Sequence, residues 1–376
     1  MTMRLGLIGC GNISDIYLIN APLFRDIKFV ACADLVDAAA KAKADKYGIA
    51  HRSPKDILAS DDVDIVLNLT IPEAHAEVSL QAIAAGKHVY GEKPMATTLK
   101  DAEAVADAAK AKGVRVGSAP DTVLGASHQA ARKTLDDGLL GKLLSGLICV
   151  QSHGMEHWHP NPAFFFRPGA GPVFDLGPYY ISALINLLGP VAHVSAASRI
   201  GFPERVVTTP GSPVLGSTIK VTTPTTVHGL LEFANGALVT YVTSWDVWRH
   251  SVKPIELHGE KASLSVPDPN FFGGPLLIAR EREDWAPIDA PGRFGVLNWP
   301  RDKPVNANYR GLGLADMARG IQDNRPHRAN GDVALHGVAV MEGLLVAAQE
   351  GRRVTIHRTC ERPAALGEAE ALGLLA

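Results

Sequence analysis

The residues that could do chemistry begin almost at the N-terminus. Leu5-Gly6-Leu7-Ile8 is an apolar run of the kind that forms a buried parallel strand, and it leads straight into Gly9-Cys10-Gly11-Asn12-Ile13-Ser14. Ile13, Ile16 and Tyr17 then follow at helical spacing. A glycine turn between strand and helix leaves no Cβ in the way and aims free backbone N–H groups at one point, an anion site suited to a pyrophosphate. Ser14 stands where the dinucleotide fingerprint has its last glycine and is small enough for close helix–strand packing. A lone G-x-G is a weak signal. It is strengthened by a second apolar strand over 28–33 that ends in Asp34, about 20 residues on, where a carboxylate holds a ribose 2′-hydroxyl. Leu35, not Arg, follows Asp34, so nothing awaits a 2′-phosphate. NAD is the expected cofactor, with NADP as the alternative.

Two further stretches stand out. Tyr90-Gly91-Glu92-Lys93-Pro94 follows a fourth apolar strand, and the carboxyl end of a parallel strand is where doubly wound sheets place ligand chemistry. Pro94 restrains Lys93 to an extended backbone, which gives the ammonium a fixed direction. A turn with a solvated lysine is the plainer reading. Gln151-Ser152-His153-Gly154-Met155-Glu156-His157-Trp158-His159 gathers three histidines and a glutamate. Such a set invites a metal, but the spacing matches no zinc pattern. No metal is expected, and a loop that shapes a binding site is the better reading.

The elements that must position these residues fall into two textures. Up to about residue 120, short apolar runs alternate with alanine-rich helical segments: strands over 63–69, 87–90 and 114–117, helices over 38–47, 73–85 and 99–112. This alternation predicts βαβ units and a doubly wound parallel sheet. After a helix over 126–136, β-type segments dominate (143–152, 192–200, 219–222, 227–233, 237–245, 255–258 and 262–266). Asn235-Gly236 between two of them is a strong hairpin signal. Strands joined by turns predict a mainly antiparallel sheet. Residues 267–308 read as long surface loops, helices are expected over 313–322 and 333–350, and the tail from about 360 reads as irregular. The expected division is 1–122 for a dinucleotide-binding Rossmann domain. The remainder, 123–376, is an α+β domain for substrate and oligomerisation, with the C-terminal helices packing back.

The totals exclude several classes. A chain of 376 residues with 46% hydrophobic content suggests two domains with substantial cores. A net charge of −2 with no basic block argues against nucleic acid. Cys10, Cys32, Cys149 and Cys360 are scattered without a C-x-x-C, so they read as reduced thiols. No apolar run suggests a membrane span. Leu7-Ile8-Gly9-Cys10 resembles a lipoprotein cleavage box, but too few residues precede it for a signal peptide. A cytoplasmic protein is expected. A large antiparallel sheet with one open face also predicts a homodimer or homotetramer.

Gly9-Cys10-Gly11-Asn12-Ile13, Thr70-Ile71-Pro72-x-x-His75 and Glu92-Lys93-Pro94 resemble the motifs of the glucose-fructose oxidoreductase / inositol dehydrogenase family, often called Gfo/Idh/MocA. Gly171-Pro172-Val173-Phe174-Asp175-Leu176-Gly177-Pro178-Tyr179-Tyr180 is similar to its second signature, and Arg310-Gly311 with Gly331-Asp332-x-x-Leu335-His336 continues the likeness to the C-terminus. The resemblance implies a nicotinamide-dependent oxidoreductase acting on a sugar, polyol or related compound. It makes Lys93 a catalytic lysine, Asp175 its second-signature aspartate, and Thr70, Pro72, His75 and Glu92 part of the cofactor side. His75 reads as a packing or nicotinamide-side residue rather than a catalyst. Where most relatives carry histidine four residues after that aspartate, this chain has Tyr179. A tyrosine subgroup exists, which raises a dihydrodiol- or aldose-type dehydrogenase as a variant reading. Outside that class stand a ligand-sensing regulator without turnover and a redox glycosidase with tightly held NAD.

The spacing fits that assignment. Pro178 suits the first turn of a helix, Asp175 would lie near its N-cap, and residues four apart share a face. The plainer readings are a capping aspartate and a core tyrosine. Free tyrosine, with a pKa near 10, is a poor base at neutral pH, and an adjacent Lys93 ammonium would favour phenolate. His157, Trp158 and His159 are candidates for binding sugar hydroxyls and stacking on a ring, and Arg167 for meeting a carboxylate or phosphate.

Overall fold

A computed structural model describes residues 2–376. The N-terminal part alternates strand and helix: β1 (Met3–Ile8), α1 (Ser14–Asn20), β2 (Ile27–Ala33), α2 (Asp37–Tyr47), β3 (Ala50–His51), α3 (Pro54–Ala59), β4 (Ile65–Asn68), α4 (His75–Ala84), β5 (His88–Gly91), α5 (Leu99–Lys112) and β6 (Val116–Ser118). All six strands are parallel, in the order β3-β2-β1-β4-β5-β6. Leu5, Leu7, Ile65, Val66 and Leu67 are fully buried, as strands covered by helices on both faces must be. The order reverses between β1 and β4, so their carboxyl ends flank the crevice where doubly wound sheets bind ligands. α5 has the expected bounds because both ends are signalled locally. The Thr98 side chain accepts from the Asp101 N–H, and Gly113 closes the helix in the left-handed conformation. β3 and α3 are too short for periodicity to reveal.

The second part runs α6 (Ala126–Asp136), β7 (Leu143–Gln151), α7 (Gly171–Asp175), α8 (Gly177–Leu188), β8 (Val191–Arg199), β9 (Glu204–Val206), β10 (Thr218–Lys220), β11 (Thr226–Phe233), β12 (Leu238–Ser244), β13 (Ile255–Gly259), β14 (Ala262–Val266), β15 (Leu277–Arg280), β16 (Ala286–Pro287), α9 (Leu312–Gln322), α10 (Gly331–Glu350), β17 (Val354–Thr355) and α11 (Glu368–Gly373). Nine strands form one sheet in the order β16-β15-β14-β13-β7-β12-β11-β8-β17. Every neighbouring pair is antiparallel except β12 with β7. β9 and β10 form a separate ribbon. Asn235-Gly236 turns the β11–β12 hairpin, with Gly236 at φ 89° and Asn235 Oδ1 accepting from Ala237 N–H at 3.0 Å.

α10 is long and apolar enough by composition to cross a membrane, yet Val338, Val340, Met341 and Leu344 are buried where it packs on β8, α5 and α8. It thereby joins the two parts.

Two expectations are corrected. Residues 267–308 are not only loops, since β15 and β16 lie among them and extend the sheet; β15 is only four residues long, and β16 is a two-residue edge strand ending in proline. The tail is not irregular throughout. α11 forms within it, and Leu374 and Leu366 are buried, so the chain returns to the first part: Leu375 bridges Phe24, and Ala376 N–H donates to Leu23 O at 3.0 Å.

Candidate active site

The two glycines of the first turn have different reasons to be glycine. Gly9 has φ +101°, and a Cβ there would meet the carbonyl carbon and oxygen of Leu69 at 2.5 Å. Its lack of a side chain is demanded by the packing of β1 against β4. Gly11 has an ordinary backbone, and nothing in the chain lies within 4 Å of where its Cβ would be. Among the described residues no acceptor meets the N–H groups of Gly11, Asn12 or Ile13, all exposed at the turn. Open space beside uncommitted donors is what a pyrophosphate requires, so the turn fits a dinucleotide. Ser14 is buried and its hydroxyl donates to Gly11 O at 2.6 Å.

Asp34 ties this turn to the end of β2. Its Oδ2 accepts from Cys10 N–H at 2.7 Å and its Oδ1 from Val36 N–H at 2.8 Å. Each carboxylate oxygen keeps a further lone pair for a ribose hydroxyl. Leu35 projects into solvent, 97% exposed.

At the ends of β4 and β5 the backbone is pinned by side chains. Thr70 donates its hydroxyl to Asn68 Oδ1 at 2.7 Å, and Pro72 opens a short 3₁₀ turn, Pro72–Ala74. His75 is buried between two carbonyls, with Nδ1 2.6 Å from Pro94 O and Nε2 3.0 Å from Thr70 O. Burial lowers its pKa against the opposing pull of those carbonyls, and a neutral ring can donate to only one of them. His75 thus braces the lysine loop through one N–H, with its ring enclosed between the two carbonyls. Glu92 is braced too: Oε1 accepts from the Tyr17 hydroxyl at 2.8 Å and Oε2 from Lys93 N–H at 3.0 Å.

Lys93, next to a cis Pro94, crosses to the second part of the chain. Its Nζ donates to Oδ1 and to the backbone oxygen of Asp175, both at 2.7 Å, and lies 5.1 Å from the Tyr179 ring centroid. The paired side chains are only 16% and 19% exposed. Burial pushes the lysine toward neutrality, but Asp175, with Tyr179 and Glu92, more than offsets this and keeps the ammonium well above the usual lysine range.

Asp175 lies next to the N-cap, as expected, but it does not cap the helix. Gly171-Pro172 starts its own helical turn, Asp175 is the last residue of α7, and Leu176 is the N-cap of α8, with no side-chain cap bond. Released from capping, the carboxylate takes Lys93. Pro178 does sit in the first turn of α8. Tyr179 is 7% exposed, whereas the Tyr180 hydroxyl reaches Asp268 Oδ1 at 3.2 Å in the core.

Sequence reasoning missed two residues here. Arg310 lies near enough to Tyr179 for the two to interact electrostatically, and its guanidinium is fixed by Asn308 Oδ1 at 3.1 Å and Asn270 Oδ1 at 3.2 Å. Asp121, 1% exposed, accepts from Gly311 N–H at 2.9 Å and Gly313 N–H at 3.0 Å through one oxygen. Burial raises the Asp121 carboxyl to a pKa of about 6, against the pull of those N–H groups and of Arg310. Arg310-Gly311 belongs to the C-terminal likeness, but nothing in a single sequence points it at Tyr179.

The histidine-rich segment is organised by a residue equally hidden in the sequence. Arg205 on β9 donates to Glu156 Oε1 at 2.6 Å, Asp246 Oδ1 at 2.5 Å, His153 O at 2.8 Å and Trp245 O at 2.8 Å, between the rings of Phe166 and Phe202. Glu156 is therefore consumed in a buried ion pair. Among the described residues no group of three or more His, Cys, Asp or Glu is placed to hold a metal. His153 stacks on Trp248, ring centroids 3.3 Å apart, and with His157 lines a cavity of about 800 Å³. Trp158 is 55% exposed with its edge against His159, which is itself packed on Phe164 and Phe165 and lies close enough to Asp175 to feel its charge. Arg167 is exposed and lines a different cavity, of about 470 Å³, with Asn161 and Lys220.

Residues 3–119 match the model of the oxidoreductase family, NAD-binding Rossmann fold, and residues 128–265 match the GFO/IDH/MocA C-terminal domain. The chain is 33% identical over 361 residues to a 1,5-anhydro-D-fructose reductase of Ensifer adhaerens, covering 94% of this chain and 98% of that one. It is 25% identical over 288 residues to a levoglucosan dehydrogenase of Pseudarthrobacter phenanthrenivorans, covering 70% and 73%. A solved levoglucosan dehydrogenase in complex with NADH and L-sorbose shares the fold, with a TM-score of 0.79 and 20% identity over 95% of this chain and 99% of that one.

Proposed function

The chain belongs to the GFO/IDH/MocA family of NAD-binding oxidoreductases acting on CH–OH groups, and from that premise we propose that it moves a hydride between nicotinamide and a secondary hydroxyl or carbonyl of a sugar, polyol or related compound. The names of the relatives, a 1,5-anhydro-D-fructose reductase and a levoglucosan dehydrogenase, support the substrate class. The observation that carries the reading is the contact of one charged lysine with Asp175 and the Tyr179 ring at the mouth of the nucleotide crevice.

Gly11, Asn12, Ile13 and Asp34 would hold the dinucleotide. When bound, the nicotinamide gives or takes the hydride. In oxidation Tyr179, acting as phenolate, takes the substrate hydroxyl proton as the substrate C–H bond breaks, and the C–O bond becomes a carbonyl. Lys93, kept charged by Asp175, stabilises the alkoxide character that develops on the substrate oxygen. In reduction the Tyr179 O–H bond breaks and the proton returns to the product oxygen. A placed acid/base of this kind contributes roughly 10²–10⁴ in rate. Trp158, half exposed at the tip of its loop, offers a face for a sugar ring, with His157 and His159 beside it for hydroxyls. Arg167 lines a separate cavity and is the weaker substrate contact.

A homo-oligomer in the cytoplasm completes the reading. Leu238, Thr240 and His228 lie exposed on one face of the nine-stranded sheet, which supports pairing with a second copy. Light scattering at micromolar concentration tests it, and a clean monomer refutes it. The chemical reading is tested with Lys93→Met. Turnover of the best substrate from a sugar and polyol panel should fall by about a hundredfold or more while NAD affinity stays within a few-fold. Near-normal turnover in that variant removes the central claim.

A further inference from the structure

We propose that Tyr17 is a positioning residue for Lys93: through its hydrogen bond to Glu92 it fastens the lysine loop to the helix that starts at the dinucleotide turn, so that cofactor seat and lysine are held as one unit. The inference rests on the reading of Lys93 as the lysine at the reacting oxygen.

The lysine lies where the sheet stops holding the chain. The Glu92 N–H donates to Asn68 O at 2.9 Å, which closes the ladder between β4 and β5. The next N–H, that of Lys93, meets no strand, and its acceptor is Glu92 Oε2 at 3.0 Å. The other oxygen of that carboxylate, Oε1, accepts from the Tyr17 hydroxyl at 2.8 Å. Among the described residues the Glu92 side chain has no further hydrogen bond or ion pair, so the phenol is what fixes this bracket. Burial, with Glu92 and Asp121 nearby, pushes Tyr17 well above the usual phenol range, so it stays a donor. His75 stands against Pro94 O from α4, whereas Tyr17 is the brace that comes from the cofactor side.

Tyr17 has a rigid seat of its own. It is buried on α1, and α1 is bolted to the nucleotide turn, since the Ser14 N–H and hydroxyl both donate to Gly11 O, at 3.1 and 2.6 Å. Asn20, also buried and three residues further along the same face, donates through Nδ2 to the carbonyls of Asn308 and Arg310, both at 3.1 Å. A methyl built on Gly311 would lie 3.7 Å from the Tyr17 ring, so the ring backs that turn as well. α1 thus carries the cofactor turn at one end and grips the lysine loop and the 308–311 segment from its buried side. β1 and β5 are separated by β4, a gap of roughly 10 Å, and past the strand ends no ladder carries position across it. The Tyr17–Glu92 bond does. Hydride transfer is sensitive to such placement, because a shift of about 1 Å can cost ~10² in rate.

The test uses the whole protein and reads the Lys93 amide itself, without substrate. Tyr17→Phe removes only the hydroxyl. Hydrogen exchange at the Lys93 N–H should then quicken by roughly tenfold, the scale of one lost hydrogen bond, while the Glu92 N–H, held by the β4 ladder, exchanges as before. On the best panel substrate kcat should fall by about tenfold or more, with KM and NAD affinity within about threefold. Glu92→Ala removes the bracket from its other end and should quicken exchange at Lys93 to the same extent. Adding Tyr17→Phe to it should change that exchange by less than about twofold, because the two residues act as one unit. An unmoved Lys93 amide overturns the inference. So does exchange that rises alike at Glu92 and Lys93, which is general loosening, and so does a further rise in the Glu92→Ala background. A normal kcat with a freed Lys93 amide is equally fatal, since the bracket would then fix the loop without serving the reaction. If Tyr17→Phe does not fold, Glu92→Ala alone decides, and a Lys93 amide still protected there refutes the proposal. A panel with no turnover at all sinks the dehydrogenase reading, and the exchange pattern then decides by itself whether Tyr17 fixes Lys93.

Discussion

Replacing Gly9 and Gly11 separately by alanine should split one short turn into a structural half and a ligand half. At Gly9 the new methyl would lie 2.5 Å from the Leu69 carbonyl and 2.7 Å from Thr70 N, all backbone, and the residue would have to hold φ +101°. Leu69 cannot yield freely because its N–H continues the β1–β4 ladder to Ile8 O at 2.8 Å. Strained backbone costs about 1–3 kcal/mol and overpacking about 1–3 kcal/mol more, so Gly9→Ala should lose about 4 kcal/mol. At Gly11 the methyl meets nothing, and the apo protein should stay within about 0.5 kcal/mol of wild type. NAD at a hundredfold excess over its Kd stabilises the native state by about 2.7 kcal/mol. If the Gly11 methyl weakens NAD about a hundredfold, that gain drops to about 0.4 kcal/mol. Thermal unfolding with and without NAD reads both terms, at roughly 1–4 °C per kcal/mol depending on how much of the chain melts together. The expected pattern is a low-melting Gly9→Ala and a normal-melting Gly11→Ala that no longer responds to NAD. A full NAD response in Gly11→Ala would refute the placement of the pyrophosphate, and a normal-melting Gly9→Ala would refute the packing argument.

Other outcomes follow from the buried titratable groups. Burial lowers His128 and His327 to a pKa of about 4, so each favours the folded state when neutral; their stabilisation, about 3 kcal/mol apiece, is present above pH 6.5 and lost as pH falls toward 4. Asp121 has the opposite sign, because a raised carboxyl disfavours folding once ionised: about 3 kcal/mol is present below pH 4 and lost as pH rises through about 6. The histidines win, and urea midpoints should fall between pH 7 and 4.5; a flat profile refutes the balance. Asp121→Asn can keep both bonds to Gly311 and Gly313 through its amide oxygen, so it should melt above wild type at pH 7.5 and lose that advantage near pH 4. An advantage independent of pH would mean that ionisation of Asp121 is not its source.

The sequence by itself determined whatever depends on neighbours along the chain. The strand–glycine–helix start, the βαβ alternation and the Asn235-Gly236 hairpin are all local patterns, as are the Thr98 and Gly113 ends of α5, and each folds where its pattern lies. Glu92-Lys93-Pro94 and the Asp175–Tyr179 signature were legible in the same way, as strings.

Tertiary structure decided what those strings touch. Capping rules placed Asp175 at a helix end, where it lies, but the folded chain gives its carboxylate to Lys93 rather than to a cap. Arg205 lies outside every stretch singled out in the sequence until folding sets it between Glu156 and Asp246. Arg310 is legible only as part of the C-terminal likeness until folding fixes its guanidinium on Asn308 and Asn270. Periodicity reports which face of an element is apolar, not which distant element arrives there. A buried charge acquires its partner only when both segments leave water together, and that pairing is a property of the packed chain.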